Sequence, residues 1–137
     1  MNNEEFVEKL YQSIIKENLA SYQDLFHNTD LKDVTDSYWK ESLNFFGELT
    51  DDNKKILFKI VEQVQVDTIS TILGIIDGVV TLPGKQEEIE MMFIGAKEPL
   101  NGDLQDLFLA YDEENRWMRK EHPNDNGFGF RVQIFGS

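Results

Sequence analysis

Apolar residues recur along most of this chain at helical rather than strand spacing. Phe6, Leu10 and Ile14 fall at i, i+4 and i+8, with Val7, Tyr11 and Ile15 beside them, which predicts a helix over about 4–18. Asn3 is placed to cap it, and Glu4 and Glu5 suit the positive end of its dipole. Leu19, Ala20 and Ser21 read as a junction, followed by a short helical turn through Tyr22, Leu25 and Phe26. His27 to Asp30 is a cluster of turn formers. A second helix starts at Thr35 or Asp36, with Trp39, Leu43 and Phe46 on its core side and Tyr38 and Phe45 on a flank. Thr50, Asp51 and Asp52 form the clearest helix start in the chain, a capping hydroxyl followed by two dipole-matched carboxylates. No Gly or Pro interrupts 51–73, so one long helix is expected to end near Asp77, with Gly78 as its stop. Ile56, Ile60 and Val64, widened by Leu57, Val61, Ile69, Ile72, Leu73 and Ile76, are its expected core stripe.

Beyond Gly78 the texture changes. Val79 to Leu82 is short and β-branched and is closed by Pro83 and Gly84; Glu88 to Ile94 is a second candidate strand. Asn101 or Asp103 then caps a last helix with Leu104, Leu107, Phe108 and Tyr111 as its stripe, whose charged end from Asp112 to Glu121 is expected to fray. Phe128, Phe130, Val132 and Ile134 alternate, which suits a final strand. The expected fold is therefore α+β and mainly helical: four or five helices on a small antiparallel sheet from the C-terminal half, in a single globular domain over 1–137.

Charge narrows the choice of partners. Thirteen basic against 26 acidic residues give a net charge of −13, spread along the chain and not gathered in a tail. That balance argues against nucleic acid, whose phosphates need cations. It favours either simple solubility or a basic protein partner drawn in by complementary charge. No apolar run is long enough for a membrane span. The acidic start is unlike the basic opening of a secretory signal, so a cytoplasmic location is expected. The absence of Cys removes disulfide scaffolds, thiolate metal sites and Cys nucleophiles.

Candidate chemistry is thin. Asp24, His27 and Asp30, or His122 and Asp125, are too few and too scattered for a metal site, so no metal and no cofactor are expected. Asp103 with Asp106, and Glu87, Glu88 and Glu90, are candidate carboxylate groups; a helix cap and a solvated edge explain them more simply. Gly127–Gly129 lacks the helix and Lys of a phosphate loop. The most distinctive segments are Asp77-Gly78 and Asn101-Gly102-Asp103. They read as a helix stop and a helix start, or as a junction site in which Asp77 and Asp103 face one shared surface. Exposed aromatics among charges are candidate contacts, and Trp117, Tyr38, Glu113 and Glu114 are the residues expected to meet a partner.

The run from Thr68 to Gly78, with Glu88 to Phe93 and Leu100 to Leu109, resembles small acidic bacterial proteins of uncharacterised function. Some proteins of that kind are encoded beside secreted toxins and act as immunity proteins. The resemblance covers residues 68–111 and implies a non-enzymatic, toxin-occluding binding module. The alternatives are a carboxylate-dependent hydrolase using Asp77 and Asp103, and a small self-associating regulatory module, for which a homodimer is the simplest form.

Overall fold

A computed structural model describes residues 1–84 and 87–116. The first helix does not break at Leu19. It runs from Asn3 to Asn28 as three continuous pieces: α1 (Asn3–Leu10), a π-helical segment (Tyr11–Glu17) and α2 (Asn18–Asn28). Its N-cap is Asn2, whose side chain accepts from the Glu5 N–H at 2.8 Å. Val7, Tyr11, Ile15 and Leu19 are all buried, at strict intervals of four. In an α-helix of 3.6 residues per turn, each such step drifts about 40° around the axis. The wider i→i+5 turn winds less per residue and takes the drift back, keeping the four side chains on one face.

A 3-10 turn (Leu31–Asp33) leads to α3 (Ser37–Gly47), capped by Asp36, whose carboxylate accepts from the Tyr38 and Trp39 N–H groups. The long helix α4 (Asp51–Asp77) is capped by Thr50 and ends at Gly78, which takes the left-handed conformation at φ 83°. The last helix among the described residues, α5 (Leu104–Asn115), packs against α1 and α4.

The core has two parts. Val7, Tyr11, Ile15, Val66, Leu73, Leu104 and Phe108 join α1, the π segment, α4 and α5. Leu19, Phe46 and Phe58, with Phe26, Leu57 and Val61 beside them, join α2, α3 and α4. His27 lies with its ring 5.1 Å from Phe46, as part of this aromatic group.

Two expectations are corrected. First, no strand occurs among the described residues, so the fold is helical there and the expected sheet is absent. The Val79 and Val80 N–H groups turn back to the Gly74 carbonyl and close α4. Met91 spends its N–H on the Asn101 side chain and its carbonyl on the Leu100 N–H. Backbone groups spent this way are not offered to a ladder, and the apolar run from Met91 to Ile94 does not alternate. The expected strand at 128–135 lies outside the described residues. Second, the core stripe of α4 is the expected one only in part: Leu73 is buried and Leu57, Val61, Ile69 and Ile76 pack against the core, but the Ile56, Ile60 and Val64 row and Ile72 do not. Ile56, Ile60, Val64 and Ile72 are 52, 55, 58 and 47% exposed, while Phe58, Glu62, Val66, Ser70, Leu73 and Gly74 are buried. The helix is turned so that a stripe containing a Glu and a Ser faces inward. The Ser hydroxyl is satisfied by the Asp67 carbonyl at 3.2 Å.

Candidate functional site

The junction of α4 and α5 is built from Asp77, Asn101 and Gly74. Asp77 lends its carboxylate to the start of α5: Oδ1 accepts from the Gly102 N–H at 2.6 Å and Oδ2 from the Gln105 N–H at 2.8 Å. Asp103, at the N-cap position, makes no capping bond and is exposed. Asn101 holds three backbone groups. Its amide donates to the Ile76 and Ile89 carbonyls at 2.8 and 2.7 Å, and its oxygen accepts from the Met91 N–H at 2.7 Å. Gly74 lets the helices close, because a Cβ there would lie 2.6 Å from Val80 Cγ2 and 2.7 Å from Gln105 Nε2. The pair singled out for acid–base chemistry thus divides into a helix-capping carboxylate and a solvated one.

A second cluster was not anticipated. Arg116, buried beyond the end of α5, forms a fork with Asp112, Nε to Oδ1 at 3.0 Å and Nη2 to Oδ2 at 2.7 Å. The Tyr11 hydroxyl donates to the same Oδ1 at 2.8 Å. On α4, Glu62 approaches Arg116 Nε at 3.5 Å and Gln63 accepts from Nη1. Burial pushes the Arg116 guanidinium below its usual value, and Glu62, Tyr11 and Asp67 push it back up. The cluster ties the π-helical segment, α4 and α5 together around one cation. Far from fraying, the charged end of α5 is therefore a packing element as far as Arg116. The sequence signal was present: Asp112 and Arg116 stand at i, i+4, and Glu62 occupies the apolar register of Phe58 and Val66.

The surface carries two grooves of interest. One, of about 240 Å³, lies between α1 and α5. It is lined by Val7, Leu107, Ala110 and Tyr111 together with Glu4, Glu8 and Glu114. All three carboxylates are exposed, and Glu5 and Glu113 are exposed on the same helices. The other, of about 390 Å³, is lined by Val64, Asp67, Thr68, Thr71 and Ile72 of α4. Neither groove is lined by Asp77 or Asp103.

Of the expected contacts, Glu114 lines the α1–α5 groove and Glu113 is exposed on the same helix. Tyr38 is exposed on α3, a different element, with its ring edge-on to Trp39. Trp117 and the His122–Asp125 pair lie outside the described residues. Asp24 accepts from the Asn28 amide, and among the described residues no three His, Asp or Glu side chains converge to hold a metal ion. No described helix is long and apolar enough to cross a membrane. No family model, curated protein or solved structure matches the chain.

Proposed function

We propose that this chain is a non-enzymatic binding module whose α1–α5 groove takes a basic segment of a protein partner, an immunity-type inhibitor being the sharpest form of that reading. The observation that supports it is the groove itself, lined by the apolar Val7, Leu107 and Ala110, by Tyr111, and by the exposed carboxylates of Glu4, Glu8 and Glu114. Exposed carboxylates steer a cationic surface on approach, and apolar lining holds an inserted side chain once water is displaced. If the partner is a toxin with a basic cleft, occlusion of that cleft suffices for inhibition and needs no chemistry from this chain.

The test compares the wild-type chain with the triple variant Glu4→Gln, Glu8→Gln, Glu114→Gln as baits in lysate of the native organism, at low and high salt. Each captured protein is then purified and its affinity for both baits measured. The expected result is a basic partner whose affinity falls with salt and falls again in the variant, and whose own activity the wild-type chain blocks. Equal affinity for both baits removes the groove from the reading, and an unblocked partner removes inhibition.

A further inference from the structure

Residues 91–100 form a closed loop between α4 and α5, and its tip is apolar. The Leu100 N–H donates to the Met91 carbonyl at 2.8 Å and shuts the base. Asn101 pins the same base: its oxygen takes the Met91 N–H, and its amide reaches the carbonyls of Ile89 and, near the end of α4, Ile76. Met91 packs on the core and Leu100 is buried. Farther out, the Phe93 ring stands edge-on to Phe6 of α1, with 6.1 Å between centroids. The Ala96 N–H closes a turn onto the Phe93 carbonyl at 3.0 Å. Gly95, third in that turn, takes φ 88°, and Ile94, second in it, keeps a negative φ, which makes the turn type II. Pro is favoured at that second position, and nothing in the turn asks for Ile. Yet Ile94 is fully exposed, at 107%, with Met92 and Phe93 each 38% exposed beside it. A short loop closed at its ends and packed by its own side chains is a common carrier of binding function.

We infer that this loop is a preformed docking element whose Ile94 enters an apolar socket, bordered by basic residues, on a protein partner. Preformation lowers the ordering cost of binding, since the loop is already held at its base, at Phe93 and across its turn. An aliphatic side chain that stands clear of its own surface loses most of its water contact when a concave site receives it. Charge selects the kind of partner. Residues 87–98 carry Lys97 against Glu87, Glu88, Glu90 and Glu98, 1 − 4 = −3, and all five side chains are exposed. A socket rimmed by Lys or Arg complements that flank. An anionic membrane surface repels it. A second copy of this chain, with its own −13, repels it too. The loop contributes no residue to the α1–α5 groove, so the inference does not rest on the reading proposed for that groove.

The full-length chain is tested with Ile94→p-benzoylphenylalanine, and with Ile60→p-benzoylphenylalanine as the reference at an exposed apolar position of α4. An equal mixture of isotopically light and heavy protein is irradiated in lysate of the native organism, and the adducts are identified by mass spectrometry. The protein crosslinked at position 94 is then purified, and its Kd is measured for the wild-type chain, for Ile94→Ser and for Ile60→Ser, at low and high salt. Because Ile94 is fully exposed, Ile94→Ser should keep the wild-type circular dichroism and melting temperature. The expected result is a protein adduct enriched at position 94 over position 60. Its Kd should rise on the order of tenfold to a hundredfold in Ile94→Ser, stay unchanged in Ile60→Ser, and rise with salt. Equal Kd for the wild-type chain and Ile94→Ser, a Kd unmoved by salt, or no adduct above the reference overturns the inference. Mixed light–heavy adducts would assign the loop to a second copy. Co-sedimentation with phosphatidylcholine–phosphatidylserine vesicles, lost in Ile94→Ser, would assign it to a membrane. Either result overturns the inference as well.

Discussion

Asp77 caps a helix to which it does not belong. It is the last residue of α4, and its Oδ2 accepts from the Gln105 N–H at 2.8 Å in the first turn of α5. The carboxylate thus fixes how one helix follows the other across a connection of 26 residues. It supplies the negative charge that the start of α5 favours.

Replacing Asp77 by Ala removes that cap and leaves two N–H groups to find other acceptors. The expected loss is about 1–2 kcal/mol, the usual range for a lost N-cap. Asp103→Ala, at the formal cap position but without a capping bond, should change stability by less than about 0.5 kcal/mol, as exposed substitutions do. Urea unfolding of both variants checks the pair, and a larger loss for Asp103 would show that the cap is misassigned.

Arg116→Met withdraws the cation that Asp112 and Glu62 share. Breaking a buried pair from one side typically costs about 3–5 kcal/mol, because a charge remains in a dry site. Tyr11→Phe removes one hydrogen bond to the same carboxylate and should cost about 1–3 kcal/mol. The two effects should not add, since both act on Asp112. A double-mutant cycle by thermal or urea unfolding measures the coupling, and strict additivity would contradict a shared network.

The register of α4 makes a contrast between neighbours. Phe58 is buried within the aromatic group, and Phe58→Ala should cost about 3–5 kcal/mol. Ile60→Ala, on the exposed stripe, should cost much less than half of that. If the two were equal, the stripe expected from sequence alone would be the true core face.

Two glycines should respond with opposite sign. Gly47, in the last turn of α3, has open space around its missing Cβ, and Gly47→Ala should stabilise by about 0.5–1 kcal/mol through helix propensity. At Gly74 the new methyl would strike Val80 and the buried Gln105 side chain. Gly74→Ala should therefore lower stability by about 1–3 kcal/mol, as overpacking does. Melting temperatures of the two variants separate the cases.

The local chemistry of this chain is legible in its sequence. Thr50 with Asp51 and Asp52, Gly78 after Asp77, and Asp36 before Ser37 act over a few residues, and each sets a helix end as its residue type requires. The length of α4 and the stripe of α5 follow from the same short-range signals. Which face of α4 turns inward does not. Two stripes compete on that helix: one through Ile56, Ile60 and Val64, the other through Phe58, Glu62 and Val66. By hydrophobicity alone the first should be buried. The second wins because Glu62 meets Arg116, and Gly74 admits Gln105 at a distance no side chain would allow. Those partners lie more than thirty residues away. A helical turn sees its neighbours three and four positions off, whereas a buried ion pair and a close helix crossing exist only once distant segments have met. The expected sheet failed for the same reason: a strand needs a partner, and the groups that would have paired at Met91 were taken by Asn101 and Leu100.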